Sequence, residues 1–127
     1  MRQDKYFICK LCGNIATKIQ DSGVSMVCCG QEMHELTANT VEASAEKHLP
    51  VAEINGSTVT VKVGSVAHPM VAEHWIQWIV LKTNQGVHRK HLDPGMEPTV
   101  EFALANGEVA VEVLEYCNLH GLWKTIL

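Results

Sequence analysis

Thr58-Val59-Thr60-Val61-Lys62-Val63 is the stretch on which the fold class turns. Its apolar residues fall on every second position, as in a strand with one face buried and the other wet. Upstream, Val51 to Ile54 reads as a first strand that turns at Asn55-Gly56. Downstream, Trp75-Ile76-Gln77-Trp78-Ile79-Val80-Leu81 is β-branched and aromatic and reads as a more buried strand. Val100 to Ala105 and Glu108 to Tyr116 alternate on either side of Asn106-Gly107, which predicts a hairpin at that dipeptide. Asp93-Pro94-Gly95 marks another turn, and Leu122 to Ile126 a last strand. No stretch carries a long helical period. The chain from about residue 37 to 127 is therefore expected to be an antiparallel β-sandwich.

Residues 1–36 differ in composition. They hold Cys9-Lys10-Leu11-Cys12, a short alternating stretch from Ile15 to Ile19, a turn at Asp21-Ser22-Gly23 and Cys28-Cys29-Gly30. A unit below about 40 residues with so few apolar side chains needs a metal, disulfides or a partner to fold. The predicted organisation is a small metal-binding domain, 1–36, followed by the sandwich, 37–127.

The whole chain of 127 residues carries a net charge of −4, with Lys and Arg scattered, which argues against a nucleic-acid partner. No apolar run approaches the ~18 residues of a spanning helix, and the N-terminus has no signal-peptide core. The expected location is the cytoplasm, where disulfides are disfavoured. Five cysteines, four of them clustered near the start, then point to metal binding.

Cys9-x-x-Cys12 can chelate one ion, and Cys28 and Cys29 would complete a tetrahedron of thiolates suited to zinc or iron. Adjacent cysteines cannot form the same chelate loop as a C-x-x-C pair, so a distorted site is expected. His34 lies nearby, but four thiolates already fill the shell.

The fifth cysteine stands in Cys117-Asn118-Leu119-His120, and three further histidines lie beside rigid or charged neighbours: Glu46-Lys47-His48-Leu49-Pro50, His68-Pro69 and His74. Each alone reads as an ordinary surface or hydrogen-bonded residue. Together, His48, His68, His74, Cys117 and His120 offer five donors, one more than zinc prefers and one short of an octahedron, which points to iron. A blue-copper site would want a Met shortly after the last histidine, and Gly121-Leu122-Trp123 stands there instead. His88 and His91, in a polar stretch, read as surface residues.

These motifs together resemble the desulfoferrodoxin family, two-iron superoxide reductases, along essentially the whole chain. The resemblance rests on Cys9-x-x-Cys12 with Cys28-Cys29, Glu46-Lys47-His48-x-Pro50, His68-Pro69-Met70 with His74, and Cys117-Asn118-x-His120. It implies an all-β protein with a desulforedoxin-like domain and an immunoglobulin-like sandwich. It implies two iron ions, one in Cys9, Cys12, Cys28 and Cys29, the other with His48, His68, His74 and His120 equatorial and Cys117 axial. The implied reaction is one-electron reduction of superoxide to hydrogen peroxide, with Lys47 attracting the anion and Glu46 able to take the sixth position. The resemblance also implies a homodimer and a rubredoxin-like electron donor. Two other readings stand beside it: a non-catalytic two-iron electron-transfer protein, and a zinc-stabilised structural module.

Overall fold

The computed structural model describes residues 3–127. Among these, the chain forms twelve strands and one single-turn helix and divides into two compact units, up to Thr37 and from Ala38 onward.

In the first unit, β1 (Tyr6–Ile8) pairs antiparallel with β2 (Ile15–Thr17) and with β5 (His34–Leu36). A minimal hairpin, β3 (Val27–Cys28) with β4 (Gln31–Glu32), completes it. Large apolar side chains stay exposed here, among them Leu11, Ile19 and Val27, while Tyr6 and Cys9 are buried. So thin a core leaves most of the cohesion to whatever binds the cysteines.

The second unit is a two-sheet antiparallel sandwich. Helix α1 (Ala45–His48) leads into β6 (Pro50–Asn55), which turns at Asn55-Gly56 into β7 (Thr58–Val63). With β10 (Thr99–Ala103) on the other side of β7, these form one sheet. The other sheet runs β12 (Gly121–Ile126), β11 (Ala110–Cys117), β8 (Ile76–Thr83), β9 (Val87–His91). The alternation in β7 does what its spacing implies: Val59, Val61 and Val63 are buried against Ile79, Leu81 and Val113 of the facing sheet.

The Asn106-Gly107 expectation needs correction. The turn exists, with Gly107 at φ +80° and a bond from Glu108 N to Ala105 O, but its flanking strands are not partners. Strand β10 pairs with β7 and β11 with β8 and β12, so the segment crosses between sheets. The reason lies in Glu108. Its carboxylate accepts bonds from Thr83 Oγ1, His88 Nε2 (2.8 Å) and Ala105 N (2.8 Å), which ties the crossing to the end of the β8–β9 hairpin. These donors pull the Glu108 carboxyl down to about 2, the Thr83 hydroxyl contributing most.

Gly64 ends β7 at φ +81°. A Cβ there would lie 2.5 Å from Val66 O, 2.7 Å from Lys47 O and 2.8 Å from Glu46 O. Only glycine allows this approach, and it seats α1 against the start of the loop that carries His68.

Candidate metal centres

The knuckle between β1 and β2 is closed by Gly13 N to Cys9 O and Cys9 N to Asn14 O, both 2.8 Å. Cys28 and Cys29 reach the same point from the β3–β4 hairpin. The two loop residues of that hairpin, Cys29 and Gly30, have φ of 53° and 73°. A two-residue loop of that kind needs left-handed backbone at both positions, a role Asn-Gly fills without strain. A cysteine in the left-handed region is the conformational cost of using adjacent residues as ligands. The four Sγ atoms lie within 4.8 Å of one another, and Cys12 Sγ is 3.5 Å from Cys28 Sγ. Sulfurs on a tetrahedral metal with bonds of about 2.3 Å sit about 3.8 Å apart, so the group fits one ion. Its electrostatics ask for one. Cys9 is drawn down to about 6, chiefly by the Cys12 backbone N–H, while Cys29 is pushed up to about 12 by the neighbouring thiols, Cys12 foremost. The neighbouring sulfurs thus oppose the ionisation of Cys28 and Cys29, and a bound cation would offset that opposition. Asn14 Nδ2 donates to Cys28 Sγ at 3.6 Å. His34 is exposed on β5 and lies outside the group.

The second group forms at one end of the sandwich from four separate pieces of chain. His48 closes α1, His68 lies in the loop after β7, His74 sits in an isolated bridge with Val71, and Cys117 and His120 flank the β11–β12 turn. The rings of His48, His68, His74 and His120 form a closed square. Successive centroids are 4.7, 4.6, 5.0 and 4.8 Å apart, each pair near perpendicular. The diagonal from His48 to His74 is 6.4 Å, with the rings 28° from parallel.

The donor atoms converge. His48 Nε2 is 3.0 Å from His120 Nδ1 and 3.2 Å from His68 Nε2, while His74 Nε2 is 3.2 Å from Cys117 Sγ. Neighbouring ligands on a first-row metal with bonds of about 2.1 Å lie about 3 Å apart, which these distances match. The tautomers follow from the outer partners. His48 Nδ1 donates to Ser44 O and His68 Nδ1 to Pro69 O, each at 2.7 Å, so both turn a bare Nε2 inward. Burial lowers His48 and His74, and takes His68 down to about 4, which keeps these imidazoles neutral and able to ligate. Burial raises the Cys117 thiol, opposed by the backbone N–H groups of Leu119 and His120. A cation beside it would reverse that balance.

Glu46 and Lys47 are exposed on the turn of α1 that ends in buried His48. The charge of Lys47 is felt at both His48 and His74. Three neighbours of the site were given no role from the sequence. Trp123 stacks on His48 at 5.1 Å, Asn118 braces the segment around His74, and Glu115 is fully buried two residues before Cys117. Of these, Asn118 stands within the Cys117-Asn118-x-His120 motif and Trp123 three residues after His120, while Glu115 belongs to no motif.

Fold and sites define a class: a two-domain all-β protein with a four-thiolate metal centre and a separate histidine–cysteine centre at the end of a sandwich. The chain belongs to the desulfoferrodoxin family, residues 1–36 matching its N-terminal domain and residues 40–126 its main domain. It is 50% identical over 117 residues to a desulfoferrodoxin of Syntrophotalea carbinolica, covering 92% of this chain and 91% of the relative. It is 42% identical over 122 residues to one from Nitratidesulfovibrio vulgaris, covering 96% and 95%. The crystal structure of the superoxide reductase from Treponema pallidum superposes with a TM-score of 0.84 at 40% identity, covering 98% of this chain and 99% of that one. The first unit is thus desulforedoxin-like, and the cofactors are two iron ions, one in four cysteines and one in four histidines and a cysteine.

Proposed function

We propose that this chain is a superoxide reductase, converting superoxide, one electron and two protons into hydrogen peroxide. Residues 1–36 serve as the iron domain of Cys9, Cys12, Cys28 and Cys29, and residues 37–127 as the catalytic sandwich. In the sandwich His48, His68, His74, His120 and Cys117 would hold the second iron. The observation that carries the reading is the square of four imidazoles with a sulfur beside it, a donor set one short of an octahedron. The full-length likeness to a protein described as a superoxide reductase supports it.

When bound, ferrous iron supplies the electron and an open coordination position; a thiolate ligand raises its electron density. The chain's own residues do the rest. Neutral imidazoles leave the site's positive charge intact, so it attracts an anion. Lys47, exposed beside His48, adds a second positive charge at the approach and increases encounter with superoxide. Glu46, exposed on the same turn, would supply a carboxylate able to ligate the iron when no substrate is bound. The backbone N–H groups at Leu119 and His120 hold Cys117 as an acceptor and moderate its donation.

The electron donor is a small carrier of the rubredoxin type, and the protein works as a homodimer in the cytoplasm. No helix among the described residues is long and apolar enough to cross a membrane.

The deciding experiment mixes the ferrous protein with pulse-generated superoxide and follows the visible spectrum and the peroxide formed. The expected result is oxidation of the second iron with one peroxide for each superoxide. Release of oxygen with half that peroxide would identify a dismutase. Superoxide decay no faster than in buffer would leave the non-catalytic electron carrier.

A further inference from the structure

Building on the reading of the second group as a metal centre, we infer that Asn118 is a positioning residue for the corner of that centre formed by His74 and Cys117. Its side-chain amide replaces a missing stretch of β-ladder.

The need arises where β11 stops. Its pairing with β8 shifts register between Tyr116 and Cys117, and Cys117 faces Ile76, the first residue of β8. The chain must then leave the ladder, because residues 118–120 turn back to bring His120 to the site before β12 starts at Gly121, φ +80°. Among the described residues, the segment just before β8, Glu73 to Trp75, therefore has no strand opposite it, only the isolated bridge of His74 with Val71. That segment carries His74.

Asn118 fills the gap. Its Oδ1 accepts from Trp75 N at 2.9 Å, its Nδ2 donates to Glu73 O at 2.9 Å, and its own backbone N donates to Trp75 O at 3.3 Å. The His74 peptide groups exchange bonds with Val71, both 3.0 Å. The backbone is thus held on each side of His74 and at His74 itself. Its imidazole meets Cys117 at 3.2 Å, and Cys117 adjoins Asn118 in the chain. One side chain thereby locks the loop supplying His74 to the turn supplying Cys117 and His120.

The chemistry is particular to asparagine. A carboxamide presents a donor and an acceptor in the planar arrangement of a peptide group. Aspartate keeps the acceptor and loses the donor. Leucine has the shape and neither. Glutamine places the same group one methylene further out. Partners that orient metal ligands in this way typically carry about 10- to 100-fold of metal affinity.

The test uses the metal-free full-length chain titrated with cobalt(II) against a competing chelator, with the four-thiolate site as internal control. Asn118→Ala and Asn118→Leu are expected to weaken the histidine–cysteine site about 10- to 100-fold and to shift its thiolate-to-cobalt absorption. The four-thiolate site should keep its affinity, and thermal unfolding of the metal-free protein should stay near the parental value. Asn118→Asp, which keeps the bond from Trp75 N, should lose less. Parental affinity and absorption in the Ala and Leu variants would overturn the assignment, as would equal weakening of both sites together with a lower unfolding temperature, the signature of a purely structural residue. If the parental protein takes up cobalt only at the four cysteines, the metal-centre reading falls first and the inference with it.

Discussion

His48 and His74 face each other across the imidazole square, their centroids 6.4 Å apart and their planes 28° from parallel. His68 and His120 stand between these two opposite corners and complete the square. Cys117 lies beside the square, 3.2 Å from His74 Nε2 and 4.0 Å from His120 Nδ1, and under the proposed function its sulfur is the fifth donor to the iron. Cys117→Ser should therefore abolish the sulfur-to-iron charge-transfer band of the oxidised second centre, while the bands of the four-thiolate iron persist. A visible spectrum of the variant decides it, and survival of the band would remove Cys117 from the ligand set.

Under the proposed function Lys47 acts at a distance rather than by contact. Its ammonium is exposed, and its charge reaches His48 and His74. Lys47→Ala should slow the bimolecular reaction with superoxide roughly 2- to 10-fold at low salt and flatten its dependence on ionic strength. Stopped-flow or pulse-radiolysis rates across a salt series measure both. An unchanged rate would take Lys47 out of the reaction.

The four-thiolate centre depends on an uncommon backbone at Cys29, φ 53°. Cys29→Ser should remove the colour of that iron and loosen the first unit, whose core is thin. The sandwich builds its own centre from residues 48–120, none of them in the first unit, so the ferrous second site should react with superoxide within about 2-fold of the parental rate. Loss of both activities would mean that the first iron takes part in the reaction itself.

What could be read in advance follows from where each constraint is written. The valines of β7 alternate because one face is buried, so Thr58 to Val63 announced itself. Strand β9, Val87-His88-Arg89-Lys90-His91, did not, because it is an edge strand whose residues are nearly all exposed. Asn55-Gly56 and Asn106-Gly107 carry the same turn signal. The first makes a hairpin, while the bonds of Glu108 to Thr83 and His88 divert the second into a crossing. Turn chemistry is local, and sheet assignment is not. The cysteine knuckle is legible from spacing alone. The histidine square is not, because its corners come from a helix end, a loop, a bridge and a turn. Only the combination of motifs brought them together, and nothing in the sequence singled out Gly64 or Glu115.

Gly64 offers a test of how α1 is seated. A methyl group at this position would meet three carbonyl oxygens at 2.5 to 2.8 Å, two of them from Glu46 and Lys47, and would occupy a left-handed backbone. Gly64→Ala should cost at least about 1–2 kcal/mol from the backbone conformation alone, read as a lower denaturation midpoint. By displacing the turn that carries Lys47, it should also slow the reaction with superoxide. A variant with parental stability and rate would show that the loop after β7 can move aside without disturbing α1.

Glu115 presents the opposite situation, a charge-bearing side chain with nothing to answer it. It is fully buried, faces Ile79 and Trp123 in the ladders, and neither carboxyl oxygen has a hydrogen-bond partner among the described residues. Burial raises its pKa well above the ordinary 4.5, so the folded protein keeps the proton to a higher pH than the unfolded chain does. The sign follows from linkage. Below 4.5 both folded and unfolded chains carry the proton and the group is neutral in its effect on folding. As the pH rises above that value the unfolded chain releases the proton and the folded one retains it, so this group lowers stability by about 1.4 kcal/mol per pH unit until the folded form also ionises. Glu115→Gln keeps the shape and removes the titration. Its stability relative to the parent, from denaturant midpoints of the metal-loaded protein at pH 5.5 and 7.5, should rise with pH. A difference that stays constant over that range would mean that Glu115 is ionised in the fold and stabilised by a cation, and that burial does not hold its proton.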